Sequence, residues 1–317
     1  MTRYARQTIL PDIGPNGQAR LARAHVLVVG AGGLGGPVVQ YLTGAGVGRI
    51  TLVDGDTVEK TNLHRQPLYR MDQIDQPKVR AAAQALAALN PDVHVEPLDV
   101  WLDPANAPDL VAAADVVLDC ADTFAASLTL SDACRDSATP LITASALALS
   151  GYVAGCCGPA PSLRAIFPDL PERGASCATA GVMGPVVGAI GALQAQMALS
   201  VLLNLSPSPL GQMVSLDATR WRMGGFRFDH ALEPIHPLPF IARSQIRQDD
   251  LLIDLRAEAA PFSPHARHIP PECMSALTPP TGGRIVLACA SGLRAHNAGQ
   301  TLQTRWAGDI ALLALHD

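Results

Sequence analysis

The sequence predicts an α/β protein, a doubly wound, mostly parallel sheet followed by a second, small α/β domain. Three observations carry this reading. Through the first two thirds, short apolar runs alternate with helical stretches, the pattern of parallel βαβ units. A glycine cluster follows the first apolar run directly. A proline-rich passage, LEPIHPLPF (232–240), then breaks the alternation before two further apolar runs. In order, the elements are AHVLVVG (24–30), a helix beginning near Gly35, RITLVDGD (49–56) and a helix around Lys78 to Leu89. VHVEPLDV (93–100), DVVLDCAD (115–122) and PLITASAL (140–147) follow as strands. GYVAGCC (151–157), GQMVSLDA (211–218) and WRMGGFRF (221–228) read as later strands, the last two as a hairpin turning near Thr219 and Arg220. LLIDLR (251–256) and RIVLACAS (284–291) read as buried strands of the second unit. The chain divides into residues 1–230, a proline-rich linker 231–244 and a second domain 245–317.

Composition narrows the function. With 317 residues, 48% of them hydrophobic and 16% charged, the chain is too long and too apolar for a disordered or basic nucleic-acid tail. A formal net charge of −5 gives no general attraction to nucleic acid or to an anionic membrane. Phosphate binding therefore has to come from a local arrangement of residues. The amino terminus, MTRYARQTILPDIG, lacks the apolar run of an export signal, so a cytoplasmic location is expected. Seven cysteines in such a chain favour free or catalytic thiols over a disulfide framework. The uncharged stretch 180–205 is long enough to span a bilayer, but Gly181, Gly184, Pro185, Gly188, Gly191, Gln194, Gln196 and Asn204 interrupt it. It reads as a helix buried in a soluble core, with no membrane partner. Of 23 cationic residues only two, Lys60 and Lys78, are lysines, so the position of each is informative.

The first candidate site is the strand VLVVG followed by Gly30, Ala31, Gly32, Gly33, Leu34 and Gly35, with Asp54 closing the next strand. Such glycines let the backbone approach a phosphate and aim helix N–H groups at it, while the acid accepts from ribose hydroxyls, as in Rossmann-like nucleotide sites. The next stretch separates a triphosphate enzyme from a dehydrogenase. A triphosphate brings extra negative charge, and Arg65, Gln66 and Lys78 are donors placed to meet it. Asp56, Lys60 and His64 lie in the same stretch, His64 reading as a loop residue. Asp122 ends an apolar strand at the carboxyl edge of the sheet and is suited to Mg²⁺.

The ordered motifs RYARQ, GAGGLG, LVDGD, TNLHRQ, QPKV and LDCAD closely resemble the MoeB/ThiF family, bacterial relatives of the ubiquitin-activating enzymes, from Arg3 to about Phe228. The resemblance implies ATP-dependent adenylation of the C-terminal Gly-Gly carboxylate of a ubiquitin-like sulfur carrier. It places Asp54 at the ribose, Asn62, Arg65 and Lys78 at the phosphates and Asp122 at the magnesium. It also sends Arg6 to the ATP of a partner subunit, which requires a homodimer. Members of this family commonly hold a structural zinc with two C-x-x-C pairs. Here Ser162 and Ala165 stand at the first pair and DHALEPIHP (229–237) at the second, so no zinc site is expected. Thr123 replaces the asparagine usual after Asp122.

Two cysteines carry candidate chemistry. Cys177 lies in a small-residue loop, RGASCATAG (173–181), and aligns with a cysteine that links covalently to the carrier in some relatives. Cys289 begins C-A-S-G-L-R (289–294) after the strand RIVLA, at the start of a helix where a thiol pKa is lowered. With LLIDLR and His268-Ile269-Pro270 this resembles a short rhodanese (sulfurtransferase) domain over roughly 245–317. Cys120 is expected beneath its strand, Cys156 and Cys157 within one, and Cys134 and Cys273 carry no motif.

The reading is adenylation of a carrier glycine followed by thiocarboxylate formation through a persulfide on Cys289, supplied by a donor such as a cysteine desulfurase. Three alternatives stay open: a same-fold enzyme acting on a peptide or a tRNA-linked amino acid, a noncatalytic carrier-binding scaffold, and a dehydrogenase.

Overall fold

The computed structural model describes residues 3–170, 180–256, 261–280 and 282–315. Its larger sheet contains β1 (His25–Val29), β2 (Arg49–Val53), β3 (His94–Leu98), β4 (Val116–Asp119), β5 (Pro140–Leu147), β6 (Ser150–Cys157), β7 (Gln212–Asp217) and β8 (Arg222–Arg227). Their order is β3-β2-β1-β4-β5-β6-β7-β8. The first five run parallel. From β5 onward each pairing is antiparallel, and β7 and β8 form the expected hairpin, with Asp217 Oδ1 accepting from the N–H groups of Thr219 and Arg220.

The run VLVV in β1 is apolar at every position because helices cover both faces of the sheet. Val26 and Val28 pack with Val38 and Ile190 on one face, whereas Leu27 and Val29 pack with Val111 and Leu130 on the other. β1 lies between β2 and β4. The chain leaves these strands toward opposite faces, which opens a crevice at their carboxyl ends.

The uncharged stretch forms the helix Gly184–Leu203. Its length and mean hydropathy of 1.8 meet the requirement for crossing a membrane, yet half of it is buried in the protein. It packs on β4, β5, β6 and the helix Gly35–Ala45. Gly191 permits that approach: a Cβ there would lie 2.7 Å from the Leu34 carbonyl oxygen.

The second sheet contains β9 (Leu251–Asp254), β10 (Arg267–His268), β11 (Arg284–Cys289) and β12 (Asp309–Ala314), in the order β10-β9-β11-β12, all parallel. The helix Leu293–Gln303 joins β11 to β12. The proline-rich passage differs from the expected spacer. Leu238 and Phe240 are buried in a core shared with Ala125 and Leu128 of the first unit. Pro239 accepts from Leu312 N–H and Ile241 N–H donates to the Leu312 carbonyl, each at 2.8 Å, so the passage covers the free edge of β12. A proline tolerates that position because only its carbonyl is needed.

Where the family pattern would place two cysteine pairs, the two segments are joined by another device. Ser162 Oγ and the Ser162 N–H each donate to the Glu233 carboxylate at 2.6 Å. Nearby, Arg164 forms a two-pronged pair with Asp132 and donates to the Leu238 carbonyl.

Candidate active site

The crevice at the ends of β1, β2 and β4 is a cavity of about 490 Å³. Gly30, Gly32, Gly33, Asp54, Asp56, Asn62, Arg65, Gln66, Lys78 and Asp122 all line it. The glycines divide the work. Gly30 has φ +98°, and a Cβ there would lie 2.5 Å from the carbonyl oxygen of Cys120, so only glycine lets β1 close against β4. Gly33 packs against Val187, while Gly32 leaves its backbone open to the cavity. Gly35, expected at the ligand, does not line the cavity. It is buried in the first turn of its helix, where any side chain would run into the Gly30 carbonyl.

Asp54 is held by two backbone donors, Ala31 N–H at 2.7 Å and Asp56 N–H at 2.8 Å. Burial is the largest influence on it and raises its pKa, opposed by the charge of Lys78. Tyr69 donates to the Ala31 carbonyl at 2.6 Å and so fixes the loop from below. Lys78 opens the helix Lys78–Leu89, and its ammonium lies 2.8 Å from Asp56 Oδ2. Asn62 Oδ1 accepts from Glu59 N–H, and Arg65 donates to the Thr61 carbonyl, so both sit on one ordered turn. The amide oxygen of Gln66 is buried and finds no hydrogen-bond partner among the described residues.

Asp122 is exposed at the cavity wall. Thr123, the departure from the family pattern, caps the helix Phe124–Asp136 by accepting from Ala126 N–H. Asp119, just before it, is fully buried and accepts from Thr143 Oγ1 and Ala121 N–H. Arg6 is exposed on the short helix Ala5–Thr8, outside the cavity lining of its own chain. Cys177 lies outside the described residues.

Cys289 is the last residue of β11 and is fully buried, rather than open at its loop. Ala295 N–H donates to its sulfur at 3.4 Å, and Gly292 caps the following helix with φ +83°. A Cβ on Gly292 would meet Phe240 at 2.6 Å and Ala125 at 2.9 Å, so the cysteine loop is seated against both. Arg294 donates to the Leu255 carbonyl. Cys120, Cys134, Cys156 and Cys157 are buried, and burial pushes each thiol up, Cys157 to about 12. Such thiols stay protonated and unreactive.

Sequence reasoning missed Gln194. Its amide Nε2 donates to the carbonyls of Asp119 and Ile142 at 2.7 and 2.9 Å and its Oε1 accepts from the Cys120 thiol, so one polar side chain in an apolar helix ties the end of β4 to the neighbouring β5. It also missed the apolar wall Val100, Trp101 and Leu102. No short motif marks either.

Fold and site together define a nucleotide-binding enzyme of the Rossmann-like class. The profile of the ThiF family matches residues 4–233, and the chain belongs to that family. It is 47% identical over 228 residues to the adenylyltransferase and sulfurtransferase MOCS3 of Bos taurus, matching 71% of this chain and 50% of that one. It is 42% identical over 224 residues to the sulfur carrier protein ThiS adenylyltransferase of Escherichia coli strain K12, matching 69% and 89%. The chain thus spans half the length of the bovine relative. Among solved structures, E. coli MccB with ATP has the same fold, with a TM-score of 0.64 at 22% identity over 72% of each chain. The relatives are adenylyltransferases by name, and this chain is an enzyme of that kind.

Proposed function

We propose that the protein adenylates the C-terminal glycine of a ubiquitin-like sulfur carrier and that a persulfide on Cys289 then converts the acyl-adenylate to a thiocarboxylate. The observation that carries the first step is that one cavity is lined by the open glycine backbone, Lys78, Arg65, Gln66 and Asp122. In that step a carboxylate oxygen attacks the α-phosphorus and pyrophosphate leaves. Two anions must meet, so the work is charge neutralisation and alignment. Arg65 and Lys78 take phosphate charge, and Asp54 accepts from the ribose.

Asp54, Asp56, Glu59 and Asp122 also line the cavity, which would repel a bare triphosphate. One hard carboxylate beside phosphate oxygens suits Mg²⁺, and Asp122 is the residue that would hold it. Bound there, the metal neutralises phosphate charge. Arg6 would serve the site of a second copy in a homodimer. The edge strand β8, with Met223 and Phe226 exposed beside Trp221, offers a protein partner an apolar edge with free backbone groups.

In the second step the terminal sulfur of the persulfide attacks the acyl carbon and AMP leaves. A further thiol then reduces the acyl disulfide and frees the thiocarboxylate. The backbone N–H of Ala295 beside Cys289 Sγ supports this role, and lifting the loop from Phe240 and Ala125 is its requirement. Incubation with ATP, Mg²⁺, a persulfide donor and a Gly-Gly-ended carrier should yield carrier with one added sulfur by mass. A Cys289→Ser protein that forms normal thiocarboxylate would remove the second step and leave the first.

A further inference from the structure

Tyr69 closes the turn that carries Asn62, Arg65 and Gln66. The N–H groups of Arg65 and Gln66 both donate to the Asn62 carbonyl at 3.0 Å, and Tyr69 N–H donates to the Gln66 carbonyl at 3.2 Å, so the turn continues unbroken to the tyrosine. The Tyr69 side chain is buried in the same core cluster as Ala31 and Leu34 and does not line the nucleotide cavity. Its hydroxyl crosses to the glycine loop and donates to the Ala31 carbonyl at 2.6 Å, between residues 38 apart in the chain. Burial, and then the charge of Asp54, push the phenol pKa up, so the hydroxyl keeps its proton and stays a donor through neutral pH.

The carbonyl that Tyr69 holds belongs to the peptide joining Ala31 to Gly32. That peptide is trans, and in a trans peptide the C=O and N–H point in opposite directions. On its other side, Ala31 N–H is fixed to Asp54 Oδ2 at 2.7 Å. Gly32 N–H meets no acceptor among the described residues, and Gly32 lines the cavity whereas Ala31 and Tyr69 do not. A free backbone N–H in a glycine loop is a group that binds phosphate oxygen. We propose that Tyr69 is a positioning residue of the triphosphate site: its hydroxyl sets the Ala31–Gly32 peptide so that Gly32 N–H serves a phosphate oxygen, and it ties the glycine loop to the turn of Asn62, Arg65 and Gln66. The proposal rests on the adenylation reading. The hydroxyl touches no substrate and acts through the peptide it holds.

The test uses the full chain with Mg²⁺ and compares ATP with adenosine, which has the base and ribose without the phosphates. Tyr69→Phe removes one oxygen and keeps the ring. By calorimetry it is expected to bind ATP about 3- to 10-fold more weakly, the value of one hydrogen bond, and to bind adenosine as wild type does. A general loosening of the fold would weaken both ligands. A Tyr69→Phe protein that binds ATP like wild type, that loses ATP and adenosine in equal proportion, or that does not fold overturns the proposal. A wild type that binds no ATP overturns the adenylation reading and this proposal together.

Discussion

The Lys78 ammonium lies 2.8 Å from Asp56 Oδ2, and the Lys78 backbone N–H donates to the carbonyl of the same aspartate at 2.9 Å. The lysine side chain is 7% exposed and the carboxylate 51%. One of only two lysines in the chain is thus buried at a helix start, with its charge turned toward the cavity. A triphosphate offers it oxygens in place of the carboxylate. Lys78→Met is expected to lower kcat/KM for ATP by about 10- to 100-fold, the value of a hydrogen bond to a charged group. Asp56→Asn keeps the backbone bond and should lose less than Lys78→Met in the same steady-state assay.

Asp119 makes stability depend on pH. Burial, the largest influence, raises its pKa above the ordinary carboxylate value of about 3.9, against hydrogen bonds from Ser127 and Thr143. A raised folded-state pKa means that the native protein keeps a proton the unfolded chain gives up. That stabilisation is complete below the unfolded value and is lost as pH rises through the folded one. Asp119→Asn keeps an oxygen for the Ala121 N–H and removes the loss. Thermal melts should place it at or above wild type near neutral pH, with the advantage vanishing as pH falls into the carboxylate range.

Gln194→Leu strips the buried carbonyls of Asp119 and Ile142 of a donor. The expected cost is about 2–4 kcal/mol, read as a fall of several degrees in melting temperature. A variant melting like wild type would show that β4 and β5 hold together without it.

Arg164→Ala breaks a pair whose arginine side chain is 5% exposed and releases the Leu238 carbonyl. Losing one partner of such a pair costs about 3–5 kcal/mol. Limited proteolysis should then cut faster than in wild type around Leu238 and Phe240, which are buried in the intact protein. Arg164→Lys should not restore protection, because lysine lacks the two-pronged fork that meets Asp132.

The phosphate half of the site was legible because its parts are local. The glycines after β1, Asp54 at the end of β2, and Lys78 at a helix start each sit where one strand or helix ends, and the topology then gathers those ends. Gly35 reads as a ligand group only if every glycine of the motif is treated alike; the Gly30 carbonyl above it shows its task to be closure. Gln194, Trp101 and Phe240 act through neighbours far away in the chain, so no spacing announces them. The burial of Cys289 was equally hidden. A C-x-x-G-x-R loop names a thiol, but whether Phe240 and Ala125 cover the loop depends on how a proline-rich passage packs.

The central claim is best tested by ATP–pyrophosphate exchange with the full chain, Mg²⁺ and a Gly-Gly-ended ubiquitin-like carrier. Exchange should require the carrier's terminal glycine and collapse in Lys78→Met and Asp122→Asn, with both variants still folded. Exchange unaffected by either substitution, or a wild type stabilised by NAD and not by ATP, would contradict it.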